Sequence, residues 1–579
     1  MEKSNIPDEK FSFSGYDFPM KTFRKYRPYP ALPVFPRSWP DKRITRAPVW
    51  CSVDLRDGNQ ALAEPMNPSE KLEFFRLLTA AGFKEIEVGF PSASGTDYDF
   101  VRTLITEDFI PQDVTIQVLT QARAHLIEKT ISSLSGCPQA IIHLYNSTSE
   151  LQRRVVFSKN KKEIIKIAVD GAACILNSVK HLSSCKLRFE YSPESYTGTE
   201  IDFAVEVCSE VIDTFGSDKA NPLILNLPAT VEMSTPNIYA DSIEYFCRNL
   251  KKREAAVISI HNHNDRGSAV AAAELALMAG AERVEGTLYG NGERTGNVDI
   301  ITLALNMMSQ GIDPRLDFSN IDGLSEVYER ICKIPVHPRH PYAGSLVFTA
   351  FSGSHQDAIR KGLNASRESR SEIWEVPYLP IDPGDIGRTY EALVRINSQS
   401  GKGGVAFVLE HEYGYKLPKE MHPEIQKYVQ AESERTGNEI KPPQILRIFQ
   451  EEYLQRCVPF VLKSCDIHGH TYGDTDPNSE LSEVESVVVK NGTEITIRGK
   501  GNGPVDAFAK SLINDAGAVF SLTSYHEHAL TSGTNSSAVA YIQITCATGI
   551  FFGVGMDSNI SIAPMKALLS ALNRSGLQF

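Results

Sequence analysis

Between Pro48 and about Ile312 the chain alternates short apolar runs with helix-like stretches, and it does so eight times. The runs are VWCSVD (49–54), EIEVGF (85–90), VTIQVLT (114–120), AIIHLY (140–145), LRFEYS (187–192), LILNLP (223–228), AVISIH (256–261) and RVEGTLY (283–289). The segments between them carry helix punctuation: Pro68-Ser69-Glu70 opens KLEFFRLLTAAG and Gly82 closes it, and AVAAAELALMAGA follows Asp265. Eight strand–helix units within roughly 270 residues predict a (β/α)8 barrel, because an open doubly wound sheet usually has fewer strands. No Gly-x-Gly-x-x-Gly follows the first run, which argues against a dinucleotide-binding fold.

At 579 residues the chain exceeds one ordinary domain. Residues 1–47, rich in proline, aromatics and arginine, read as an extended arm, with a disordered tail the alternative for the first dozen. The barrel is expected over 48–324 and a polar, helical linker region over 325–460. Within that region SGKGG (400–404) lacks P-loop spacing and reads as a flexible connector. Residues 461–579 change character. SVVVKNGTEITIR is a hairpin turning at Asn491-Gly492, and GPVDAFAKSLINDAG is a helix. AVFSLTSY, AVAYIQITC and IFFGVGM then precede a second helix, SIAPMKALLSALNR, which predicts a duplicated α+β domain.

A net charge of −12 argues against a nucleic-acid surface, so any anion site must be local. Ten scattered cysteines without a C-x-x-C pair suit reduced thiols and a cytoplasmic protein. The start MEKSNIPDEKFSFSG lacks the apolar core of a signal peptide, and no apolar run is long enough to span a bilayer, so no membrane partner is expected.

A (β/α)8 barrel carries its active site at the C-terminal strand ends. Polar strings stand there: Arg56-Asp57-Gly58-Asn59-Gln60, Ser192-Pro193-Glu194, Pro228-Ala229-Thr230, His261-Asn262-His263-Asn264-Asp265, and Gly290 to Asn297. His261 and His263, two apart on a strand end, project from one face and can bind one ion; two hydrogen-bonded histidines are the bland alternative. Barrel closure adds an acid after strand one and an oxygen donor after strand eight. Two imidazoles, a carboxylate and an amide oxygen fit Mg²⁺ or Mn²⁺, with Zn²⁺ or Co²⁺ as alternatives, and such an ion would polarise a 2-keto acid. Arg56 could neutralise developing enolate or alkoxide charge, or else form a structural ion pair with a carboxylate such as Glu87.

The strings DLRDGNQAL, EVGFPSAS, HNHNDRG and GNGERTGNVD closely resemble the 2-isopropylmalate synthases, and WEVPYLPIDPGDIGRTYEA with NSQSGKGG resembles their longer subgroup. The resemblance runs from about Pro33 to the C-terminus. It implies an enzyme of leucine biosynthesis that condenses acetyl-CoA with 2-ketoisovalerate, built as a catalytic barrel, a linker region and a leucine-sensing domain, and working as a homodimer with leucine as feedback inhibitor. Carried over, the metal ligands are Asp57, His261, His263 and Asn297. Arg56 is the catalytic arginine, Glu194 a carboxylate near substrate, and His143, Ser192 and Thr230 keto-acid contacts. His355, in FSGSHQDAI, matches the base and comes from the partner chain; Tyr390, in GRTYEA, joins the catalytic set. From the residues alone His355 reads as a helix-cap neighbour. In the C-terminal domain the turn Gly501-Asn502-Gly503-Pro504 leads into a helix whose first-turn N–H groups, up to Ala507, could receive an amino-acid carboxylate; the alternative is a dimerisation domain in which the glycines serve the turn.

Homocitrate and citramalate synthases share this chemistry and differ by pocket size, which the sequence reads poorly. A biotin-dependent carboxyltransferase would need a lysine ligand, and none stands in Asn226-Leu227-Pro228-Ala229-Thr230. A catalytically silent leucine-binding regulator would be expected to lose a ligand or the arginine, and neither is missing.

Overall fold

The computed structural model describes residues 29–30, 32–33, 36–350, 352–369, 372–388, 402–436, 440–469, 482–530 and 536–576. The chain divides into two compact units, Met1–Gly344 and Ser345–Phe579.

The first unit is a closed barrel of eight parallel strands in chain order. They are β1 (Val49–Ser52), β2 (Glu85–Gly89), β3 (Thr115–Gln121), β4 (Gln139–Ser147), β5 (Lys186–Glu194), β6 (Leu223–Ala229), β7 (Ala256–Asn262) and β8 (Arg283–Gly286). The helices following them are α1 (Pro68–Ala80), α2 (Gly95–Thr106), α3 (Ala124–Ser133), α4 (Lys161–Ser178), α5 (Ile201–Phe215), α6 (Pro236–Asn249), α7 (Ala269–Ala279) and α8 (Ile300–Met308). Local chemistry sets their starts: Asn67 with Glu70 and Asn160 with Glu163 form capping boxes that satisfy the free N–H groups of α1 and α4. A further helix, α9 (Ile321–Cys332), completes the unit.

Two strands end two or more residues earlier than their apolar runs. β1 stops at Ser52, because Asp54–Gly58 close into one turn of π-helix, and β8 stops at Gly286, where the chain enters a short 3-10 turn, Leu288–Gly290. Asp54 joins the two, its carboxylate accepting the Leu288 amide at 3.1 Å. The described part of the arm lies on this unit: the Trp39 indole and the Arg37 guanidinium both donate to Asp241 of α6, at 2.8 and 2.7 Å.

The second unit begins with helices α10 (Gly353–Ser369), α11 (Lys402–Tyr413), α12 (His422–Thr436) and α13 (Pro442–Phe449). The expected connector SGKGG is therefore corrected: Lys402, Gly403 and Gly404 open α11, and Ser400 and Gly401 lie outside the described residues. Glycine is costly inside a helix, yet the packing of Val405, Val408 and Leu409 in the core just beyond outweighs it.

Two three-stranded antiparallel sheets follow. The first has the order β11–β10–β9, from β9 (Phe460–Gly469), β10 (Ser482–Lys490) and β11 (Thr493–Gly501), and leads into α14 (Pro504–Asn514). The second is β12 (Ser521–Ala529), β13 (Ala538–Cys546) and β14 (Gly549–Asp557), followed by α15 (Ile562–Arg574). The duplication is thus two strand–strand–strand–helix units, the first one strand longer than the sequence reading had it. One core joins α14, α15 and the inner faces of both sheets, through Val484, Ile497, Phe508, Leu512, Ile542 and Leu568. A second core lies on the opposite face of β13 and β14, where Val539, Tyr541, Phe552 and Val554 pack with Leu409, Ile425, Phe449 and Tyr453.

Candidate active site

β1 and β7 both pair with β8, which brings the polar strings after these strands together. Asp57 stands in the turn after β1, His261 near the end of β7, and His263 just beyond it, bridged to Asn297 of the loop after β8. Asp57 Oδ2 lies 3.5 Å from His261 Nε2 and 3.7 Å from His263 Nε2, and the Asn297 amide donates to the same oxygen at 2.9 Å. All four residues are buried.

Among the described residues, Asp57, His261 and His263 form one of two groups whose ligand atoms lie within 4.8 Å of one another. Their surroundings fit a divalent cation. Asn297 Oδ1 and His263 Nδ1 are buried without a hydrogen-bond partner, an expensive arrangement that an ion-binding role explains at least for the amide oxygen. Burial works against an ionised Asp57, but Arg56 and the two histidines hold its carboxyl well below the usual range. Burial and the neighbouring His261 push His263 down to about 4, so its imidazole is neutral at pH 7. His261 is likewise desolvated, yet its bonds to Asp57 and Glu285 raise it to about 9.

The Gly290–Asn297 loop owes its shape to close approach. A Cβ on Gly296, at φ +90°, would sit 1.9 Å from the Gly290 carbonyl oxygen, and one on Gly292 would sit 2.3 Å from the Asn297 side-chain nitrogen.

Arg56 forms the structural ion pair weighed for it in the sequence and also stands at the cavity. Its guanidinium pairs with Glu87 and, at 2.6 Å, with Asp57 Oδ1. Glu87 in turn accepts from Gln117 and meets His143 Nδ1, both at 2.7 Å, while His143 Nε2 lies 2.7 Å from the Ser192 hydroxyl. Glu194 accepts from the Ser147 hydroxyl, and the Thr230 hydroxyl accepts the Ser195 amide at 3.0 Å. Arg56, Asp57, His143, Ser192, Glu194, Thr230, His261 and His263 all line a single cavity of about 200 Å³, whose apolar wall includes Phe90, Leu119 and Pro228.

The remaining sequence candidates lie elsewhere in the chain. His355 is exposed near the start of α10, in the second unit, its ring stacked on Tyr378 at 4.0 Å. Tyr390 lies outside the described residues. Gly501 ends β11, Gly503 is the N-cap of α14 and Ala507 is buried in its first turn. There Asp506 already accepts the Asn502 amide at 3.0 Å and pairs with Lys510.

Sequence reasoning missed the polar layer beneath the cavity. Arg283, fully buried, donates to Glu85 at 2.6 Å, to Gln117 at 2.8 Å, to Ser259 at 2.9 Å and to Glu285 at 3.0 Å, with Glu190 at 3.2 Å. Burial and the neighbouring carboxylates Glu285 and Glu87 push Glu190 well above the usual range, against the pull of Arg283. The available signal was charge inside strands that ought to read as continuous apolar runs: Glu85 and Glu87 in EIEVGF, Glu190 in LRFEYS, and Arg283 with Glu285 in RVEGTLY.

A closed barrel with an aspartate, two histidines and an asparagine amide converging on one point beside an arginine defines a metal-binding barrel of the HMGL-like class, and residues 47–327 match that family. Residues 345–410 match the alpha-isopropylmalate synthase post-catalytic domain and 439–575 the LeuA allosteric (dimerisation) domain. The chain is 54% identical to a 2-isopropylmalate synthase of Clostridium acetobutylicum over 96% of its own length and 100% of the relative's. It is 54% identical to one from Rhodospirillum rubrum (95% and 98% covered) and 53% identical to one from Pseudomonas putida (95% and 97% covered). The chain belongs to the 2-isopropylmalate synthase family.

Proposed function

We propose that this enzyme condenses acetyl-CoA with 2-ketoisovalerate and water, giving 2-isopropylmalate and CoA, the step that commits carbon to leucine. The observation that carries the reading is the convergence of Asp57, His261 and His263 beside Arg56, with Asn297 bonded to Asp57 through its amide nitrogen, in a family member aligned over nearly its whole length. Those four residues would hold a divalent cation, Mg²⁺ first by its mixed oxygen and imidazole donors and Mn²⁺, Zn²⁺ or Co²⁺ as alternatives. When bound, the cation supplies Lewis-acid polarisation of the ketone.

The chain's own groups do the rest. His143 and Ser192, locked to one another, and Thr230 orient the keto acid, while Phe90, Leu119 and Pro228 receive its isopropyl group. The Arg56 guanidinium, fixed by Glu87 and Asp57, faces the negative charge that develops on oxygen as the new carbon–carbon bond forms. Glu194 lies in the same cavity near the substrate. A thioester methyl is a weak acid, and His355 of a second copy is the group assigned to take its proton, with Tyr390 also in the catalytic set. Leucine binding to the C-terminal domain regulates the reaction in a homodimer. Ten free cysteines are consistent with a cytoplasmic enzyme, and no described helix is long and apolar enough to cross a membrane.

Thiol release from acetyl-CoA, measured with a panel of 2-keto acids, tests the assignment. Preference for 2-ketoisovalerate is expected. Preference for pyruvate or 2-ketoglutarate would move the enzyme to citramalate or homocitrate synthesis.

A further inference from the structure

We infer that Glu285 is a positioning residue for metal binding, which fixes His261 with its proton on Nδ1 and leaves Nε2 as the nitrogen available to a cation. The inference rests on the reading of Asp57, His261, His263 and Asn297 as ligands.

His261 and Glu285 are direct partners in the β7–β8 register, and His261 Nδ1 lies 2.9 Å from Glu285 Oε2. Glu285 is fully buried, and each of its oxygens is held by two donors. Oε2 receives His261 and, at 3.0 Å, the Asn226 amide; Oε1 receives Gln117 at 2.9 Å and Arg283 at 3.0 Å. A carboxylate can only accept, so the imidazole nitrogen facing it must carry the proton. Nε2, the nitrogen nearer Asp57 Oδ2, is then the one with a free lone pair when the ring is neutral. Because four donors saturate Glu285, it cannot swing away from His261. The same saturation tells against Glu285 as a ligand in its own right, although Glu87, His143 and Glu285 also lie within ligating distance of one another. His263 has no such support, its Nδ1 being buried without a partner. The network also ties the two ends of the site together, since Gln117 bonds both Glu285 and Glu87, and Glu87 holds Arg56 and His143.

The control is Glu85, which is buried against the same Arg283 but does not touch His261. Titrating each protein with Co²⁺ and following the visible absorption of the bound ion should show affinity falling 10- to 100-fold in Glu285→Gln and changing less than about threefold in Glu85→Gln. Equal affinity in wild type and Glu285→Gln overturns the inference, and so does an equal loss in both variants, which would mean that core order alone is at work. If the wild type itself takes up no Co²⁺, the ligand reading fails and takes the inference with it. Where Glu285→Gln does not fold, the ¹⁵N shifts of His261 in the Mg²⁺-loaded wild type decide the point. A proton on Nδ1 is expected, and a proton on Nε2 would overturn the inference.

Discussion

Asp54, which fastens the turn after β1 to the backbone after β8, titrates far from an ordinary aspartate. Burial pushes its carboxyl up to about 7, against the hydrogen bonds from Ser52 and Leu288 that favour the charge. The folded chain therefore binds this proton more tightly than the unfolded chain does. Its contribution to stability is full below the unfolded value, near 4, and is lost as pH rises through about 7. Denaturant unfolding at intervals from pH 4 to pH 8 should show this decline, and Asp54→Asn should flatten it; an unchanged slope in the variant would rule Asp54 out as the source. A second prediction concerns a proposed ligand directly. His263→Ala should lose metal binding and thiol release with little change in Tm, since His263 Nδ1 has no bond to lose, and near-normal metal content would remove it from the ligand set. The proposed ligands were legible because Asp57, His261 and Asn297 stand in short polar strings at or just past the ends of apolar runs. Glu190 and Glu285 were not, because each is a charge inside a strand that otherwise reads as apolar, and only barrel closure brings them together around Arg283, while Glu87 was named only as a partner for Arg56.

Among the elements, the loop after β8 is the most tightly specified. Gly292→Ala should push Asn297 off its place beside Asp57, given the 2.3 Å approach a Cβ would make. We expect thiol release to fall at least tenfold with metal affinity falling in step, and retention of both would show that the loop yields. At the arm, Asp241→Ala leaves the buried Trp39 indole and the half-exposed Arg37 guanidinium without their acceptor, and the resulting loss of stability is to be read by denaturant unfolding. The eight barrel strands were readable because strands covered on both faces make predominantly apolar runs, even where a few charges interrupt them. β9 was not, because FVLKSCDIHG mixes charge with apolar residues and most of the strand is only half-buried or exposed. The start of α11 was hidden for the opposite reason: its glycines signal a break, and only the packing of Val405 and Leu409 shows that the helix begins there.

At the scale of the molecule, action across a dimer predicts complementation. Mixing His355→Ala with Arg56→Ala chains should restore some activity, since one heterodimeric site would hold both groups intact; if subunits exchange and no activity returns, the proton acceptor belongs to the same chain. Leucine regulation is tested more cleanly by a point change than by truncation. A Cβ on Gly503 meets nothing within 4 Å, and its φ of −164° is open to any residue, so Gly503→Val should fold normally yet weaken leucine inhibition if the start of α14 receives the amino acid. Unchanged inhibition would move the leucine site away from this turn. Truncation near Leu481 would instead strand β9 without its partner β10.

The double burial of β13 and β14 also governs how this half of the chain can be exchanged between relatives. Because one face of that sheet belongs to the core built with α11, α12 and α13, a chimera joined at residue 460 would graft a foreign sheet onto native helices and mismatch an apolar seam that includes Tyr541, Phe552 and Phe449. A junction upstream of Lys402 keeps the seam within one parent, and such hybrids should express as soluble protein where the later junction gives aggregates.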